Sequence, residues 1–224
     1  MHRRALILAL LAASTATPAF ALIDGLSQGD AARGIKDALS LAASNATGRL
    51  GQRDGFWGVA RVRIPLPGVL GETQRNLHRI GLSQPLDDLQ LSLNRAAETT
   101  MPQAGRLFGN AVRTMTVSDA INIVRGGDDS ATQYLRRRTE PQLTTLLRPP
   151  MTTALTQSGA FTLMRGALRQ VGMSGQTTSL RSQIIDFSTA KALDGCFAYI
   201  GDEERAIRRD PVRRTTDILR RVFG

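Results

Sequence analysis

Residues 184–224, IIDFSTAKALDGCFAYIGDEERAIRRDPVRRTTDILRRVFG, decide how this chain reads. Ile184, Phe187, Leu193, Phe197, Ile200 and Ile207 recur at helical spacing, and Ile185, Ala192, Cys196 and Tyr199 form a second apolar stripe. A helix apolar on two faces belongs at the centre of a helical body rather than on its surface. The narrow third face carries Ser188, Lys191, Asp194, Gly195, Ala198 and Gly201; Lys191 and Asp194 are placed to pair, and the glycines to admit a closely approaching helix. Glu204 interrupts the first stripe and calls for an arginine partner or an open edge. Asp210 and Pro211 mark a break and a cap, followed by a short terminal helix with a basic face of Arg213, Arg214, Arg220 and Arg221.

Outward from that stretch, the composition favours helices. Aromatics are only 4% of the 224 residues, so the core is expected to be Leu, Ala, Ile and Val. Residues 1–21 read as a secretory signal: Arg3 and Arg4 in the n-region, Ala5 to Ala13 as the apolar segment, and Ala19-Phe20-Ala21 as the cleavage site. The mature chain is then 22–224, a single helical domain without a transmembrane segment, periplasmic or secreted. Loss of Arg3 and Arg4 takes the formal charge from +10 to +8. That balance, nearly all arginine, invites an anionic lipid or other envelope component, and export argues against nucleic acid. The lone Cys196 cannot form an intramolecular disulfide and reads as a buried thiol. His78 is the one histidine after the leader, so neither a metal nor a cofactor is expected.

The remaining chain divides into about nine or ten helices. The first runs from a cap at Asp30 to Leu50. A long irregular stretch near residues 51–68, GQRDGFWGVARVRIPLPG, follows, with Val59 to Ile64 as an extended segment. Its Phe56 and Trp57 are expected to pin the loop to the helical body, a binding loop being the second reading. Further helices are expected over Gly71 to Ile80, from Ser83 to Met101, over Gln103 to Met115, and over Val117 to Arg125 behind a Thr116–Asp119 capping box. Asp128 or Asp129 is placed to cap Ser130 to Arg138. A new helix is expected at Thr139 and Pro141, a kink or break at Pro149-Pro150, a helix over Phe161 to Val171, and a flexible joint over Gly172 to Ser179.

Candidate site residues are the polar groups on core-facing helices: Asn94, Arg95, Glu98, Arg137, Lys191 and Asp194. The Asp87–Glu98 segment is the densest set of chemically capable side chains, and reads first as an ion-pair and hydrogen-bond network. The basic run Arg136 to Arg138 reads first as a solvated face, with anion binding second. No catalytic motif stands out, and binding ranks above catalysis. The alternative is a hydrolase using paired carboxylates drawn from Asp87, Asp88 and Glu98, with Asp128 or Glu204.

Several segments resemble one bacterial family. RIPLPGVL at 63–70, DDLQLSLNRAAE at 87–98, MTVSDAINIVRGGDDSATQYLRRRT at 115–139, KALDGCF at 191–197 and RRDPVRRTTDILRRVFG at 208–224 are similar, in order and spacing, to the domain of unknown function 4197 (DUF4197). The resemblance implies an exported helical protein with no assigned activity. Members often carry a lipoprotein-type cysteine after the signal, which this chain lacks, and no catalytic residue carries over.

Overall fold

The computed structural model describes residues 28–209, which build seven α-helices and no strand. The leader, its cleavage site and the terminal helix beyond Asp210 lie outside the described residues. The helices are α1 (Gln28–Leu50), α2 (Gly68–His78), α3 (Gln84–Arg113), α4 (Val117–Arg125), α5 (Ser130–Thr156), α6 (Gly159–Gln170) and α7 (Gln176–Arg209). The long helices α1, α3, α5 and α7 pack on one another around one core, with α4 against α1 and α6 across α3. That core includes Ile35, Leu39, Leu50, Leu89, Leu93, Phe108, Leu135, Leu147, Met151, Ile184 and Ile200.

Among the described residues there are seven helices rather than the nine or ten expected of the chain; the expected terminal helix lies outside them, and prolines do not break the long helices. Helix α3 runs through Pro102, and α5 through Pro141, Pro149 and Pro150, so no new helix starts at Thr139. A proline inside a helix removes one amide donor and costs about 3 kcal/mol. Here two long apolar faces outweigh that cost, and Pro102, Pro141 and Pro149 lie on the exposed sides. Threonines supply hydroxyl donors to helix carbonyls: Thr100 to Ala96 at 2.7 Å, Thr139 to Leu135 at 2.7 Å, and Thr145 to Pro141 at 3.0 Å. The expected joint over Gly172 to Ser179 is shorter than anticipated, since α7 already begins at Gln176.

Two stops use glycine in the left-handed region, Gly81 (φ 72°) after α2 and Gly172 (φ 73°) after α6. Leu82 donates to Leu77 O at 2.9 Å and Met173 to Leu168 O at 2.8 Å, the six-to-one bonds of Schellman caps. The Thr116–Asp119 capping box opens α4 as expected. The Thr116 backbone N–H and hydroxyl hold the Asp119 carboxyl below its ordinary range.

Helix α7 is the central element that its two apolar stripes announce: Ile184, Ala192, Leu193, Cys196, Phe197 and Ile200 are all buried. Burial pushes the Cys196 thiol up to about 12, which makes it an inert packing group. At Gly195 the close neighbour is the loop before α2 rather than a helix. A Cβ there would lie 3.1 Å from Val62 Cβ and 3.2 Å from Phe56 Cε1.

Two outcomes follow from this packing. Gly195→Ala gains helix propensity but overpacks two rigid neighbours, and the clash dominates; a net loss of about 1–2 kcal/mol is expected in urea unfolding. Asp119 has a depressed folded pKa, so its stabilising contribution is complete above the ordinary aspartate value of 3.8 and is lost as pH falls through the folded value. Asp119→Asn should therefore lower stability at neutral pH and converge with the parent protein in strong acid.

Candidate functional site

Three of the six candidate residues stand together. Asn94 is fully buried on α3 and treats the loop backbone as a strand partner: its Oδ1 accepts from Ile64 N at 2.9 Å and its Nδ2 donates to Ile64 O at 2.9 Å. This accounts for the inward alternation Val62, Ile64, Leu66 where the described residues form no sheet. The extended run is 63–67, slightly later than the Val59 to Ile64 segment expected, since residues 60–62 turn. One helical turn further along α3, Glu98 Oε1 accepts from both Phe56 N and Trp57 N at 3.0 Å. Glu98 Oε2 accepts from Arg95 Nη1 at 2.6 Å, and Arg95 Nη2 continues to Asp54 Oδ1 at 2.7 Å. Asp54 itself sits in the left-handed region (φ 67°), a conformation aspartate tolerates better than most residues.

This cluster is a clamp on the loop. Phe56 is wholly buried, and Trp57 lies half-buried beneath Arg63, whose guanidinium is 4.9 Å from the ring centroid. Phe56 fills the pinning role expected of the two rings, while the Trp57 ring packs with Arg63 of the loop itself.

Glu204 does similar work at the other end. Its carboxylate accepts from Ala131 N at 3.0 Å, Thr132 N at 2.8 Å and the Thr132 hydroxyl at 2.7 Å. It thereby caps α5 from α7, while the Asp129 side chain makes no cap hydrogen bond. Arg208 pairs with it at 2.9 Å and also donates to Ile123 O and Ser130 Oγ, tying the end of α4 to the start of α5.

The other candidates lie elsewhere. Lys191 and Asp194 pair at 3.8 Å on exposed α7, and Asp194 accepts from Arg136 of α5 at 3.0 Å. Arg137 lines a small separate pocket with Asp119, Asn122 and Tyr134. The carboxylates of the hydrolase alternative are dispersed. Asp87 accepts from Ser83 at 2.6 Å and Gln74 at 2.7 Å, and these bonds, the Ser83 one foremost, hold its pKa down. Ten or eleven residues of α3 separate Asp88 and Asp87 from Glu98, or about 15 Å along the axis, beyond the roughly 5–10 Å of a working pair.

Sequence reasoning missed a different face. A groove of about 870 Å³ runs between α3 and α5, lined by Thr99, Gln103, Arg106, Leu107, Asn110, Gln142, Thr145, Leu146, Pro149 and Pro150, with Thr100 at its floor. It continues past Thr99 and Pro150 into a second hollow of about 720 Å³ that includes Arg95 and ends at Gln157 and Ser158. A third hollow of about 500 Å³, between α1 and α3, shares Arg106 and Asn110 with the first and adds Ser40, Ser44 and Arg113. Among the described residues, no carboxylate, histidine or cysteine lines any of the three. Pro149 and Pro150 also remove the amides that would serve the Thr145 and Leu146 carbonyls, leaving acceptors beside Arg106 and the Gln and Asn donors. The signal was present as Thr99, Gln103, Arg106 and Asn110 at spacings of four, three and four. Expected breaks at Pro102 and Pro149 cut that stripe and its counterpart on α5.

The described chain is therefore an all-helical protein of one compact domain, with a clamped loop and an open cationic face. It belongs to the family described as a protein of unknown function (DUF4197), whose model matches residues 25–224. Searches of curated proteins and of solved structures returned no match.

The clamp is directly testable. Glu98→Gln leaves two buried backbone amides sharing a weaker acceptor and Arg95 without its anion; a loss of about 2–4 kcal/mol is expected, with a red shift of Trp57 fluorescence as the loop loosens.

Proposed function

We propose that the protein is an exported, non-enzymatic binding protein of the cell envelope whose ligand is anionic and lipid-like. The observation that carries this reading is the Arg106–Asn110 ridge with open grooves on both sides. Arg106 makes no ion pair among the described residues, and Arg113, bonded to Asn110, stands at the edge of the same face, while Arg95 nearby is held by Glu98 and Asp54. Leu107, Leu146, Pro149 and Pro150 give the main groove apolar surface for part of a chain. The threonines, glutamines and freed carbonyls suit a hydroxyl-bearing headgroup, and the arginines its negative charge.

The groove walls offer no general acid or base, and the buried carboxylates Glu98 and Glu204 are held by backbone amides and arginines. These features favour retention of a ligand over its turnover. Export rests on the leader-like residues 1–21, whose mature form would begin at Leu22.

Native mass spectrometry of the mature protein from the exported fraction, with organic extraction, tests the proposal. A reproducible co-purifying anionic amphiphile is expected, with retention falling about tenfold or more in Arg106→Ala with Asn110→Ala. A clean apo mass after gentle handling, or retention indifferent to Arg106, would count against it.

A further inference from the structure

Helix α6 buries only two of its twelve residues. Ala160 and Phe161 anchor it to the core, with Met164 and Leu168 partly covered. The rest of its surface is open. Leu163 (64% exposed), Ala167 and Val171 (67% exposed) follow one another at intervals of four and form an exposed apolar shoulder. The Schellman cap at Gly172 then sets Met173, about half exposed, at the end of that shoulder. Arg165 and Arg169 form the opposite shoulder, with Gly159 and Gly166 between the two.

The sequence that carries this helix has charge of one sign. Residues 141–185 contain Arg148, Arg165, Arg169 and Arg181 and no aspartate or glutamate. Arg148 is paired with Asp186 of α7. Arg165, Arg169 and Arg181 are exposed and make no ion pair among the described residues. A protein partner that covered only the leucine and valine would leave these cations unanswered. An anionic phospholipid surface answers both shoulders at once: headgroup charge for the arginines, and the upper acyl region for Leu163, Val171 and Met173.

We infer that α6 and its Gly172–Met173 cap form a docking face for the surface of an anionic phospholipid bilayer. The inference rests on the envelope-binding reading above and gives it a direction. The hollow beside α3 and α5 ends at Gln157 and Ser158, and Ser158 is the residue that caps α6. Docking through α6 therefore brings the end of the groove to the lipid surface, where an amphiphile can enter it.

The test is co-sedimentation of the mature protein with vesicles of phosphatidylglycerol and phosphatidylcholine, against vesicles of phosphatidylcholine alone. The expected result is salt-sensitive binding to the anionic vesicles only. Leu163→Glu with Val171→Glu should abolish it. Arg165→Gln with Arg169→Gln should weaken it by about 30-fold. Arg53→Gln should leave it unchanged, because that exposed loop arginine lies outside both α6 and the groove. All four positions on α6 are exposed, and matching circular dichroism melts keep the variants comparable. Binding that persists in both α6 variants, or absence of anionic-vesicle binding in the parent protein, overturns the inference. So does light scattering that finds a dimer dissociated by the Leu163 and Val171 changes, which would assign the shoulder to a second copy. Ligand retention in native mass spectrometry judges the envelope-binding reading separately: a retained amphiphile without vesicle binding removes the α6 inference alone.

Discussion

Backbone amides that lie away from water without a regular partner govern this architecture. The loop between α1 and α2, residues 51–67, has no sheet and no helix, yet four of its apolar side chains are buried. Each amide hidden there without an acceptor costs about 1–3 kcal/mol, so the loop can bury Phe56, Val62, Ile64 and Leu66 only if acceptors meet it. Asn94 and Glu98 supply them from α3. Glu204 meets the same need at the start of α5, where the exposed aspartates of the preceding turn leave the first amides uncapped. The polar residues of the core are thus the condition under which an irregular segment joins a helical body.

Helix continuity is the second consequence. Because α3 and α5 bury long faces against each other and against α1 and α7, they run through four prolines that would end shorter helices. The cost is local, and the benefit is spread along the whole helix. The same continuity lays two polar stripes side by side. A groove with backbone acceptors on one wall and an arginine ridge on the other exists only because those helices are unbroken.

Charge organises the surface in a complementary way. Acidic residues are mostly committed to pairing: Asp54 with Arg95, Asp186 with Arg148, Asp202 with Arg61 and Arg205, Asp128 with Arg209. Arginines are in excess, and Arg106 on the groove face and Arg165 and Arg169 on α6 are among those that make no ion pair among the described residues. A net positive charge of this kind is a statement about partners rather than fold.

Much of the fold was legible from local pattern. Helical periodicity located α7 as the central element, the capping box located α4, and glycine and proline density located the loop. Family membership followed from motifs spread over nearly the whole chain. Local signals overstated the breaks, because proline's penalty is local while the packing that offsets it comes from distant segments. The sequence could nominate Asn94, Arg95, Glu98 and Glu204 as chemically capable, but their work depends on which backbone lies opposite. Glu98 faces Phe56 and Trp57 across 41 or 42 positions, and Glu204 faces Thr132 across 72. The cationic groove belongs to the same class. Its residues are ordinary surface positions on each helix and become a site only where two faces meet. Composition, periodicity and caps, which act within a few residues, were decided by the chain itself; the partners of the buried polar groups and the groove were decided by the tertiary structure, because desolvation and convergence depend on neighbours that local sequence does not specify.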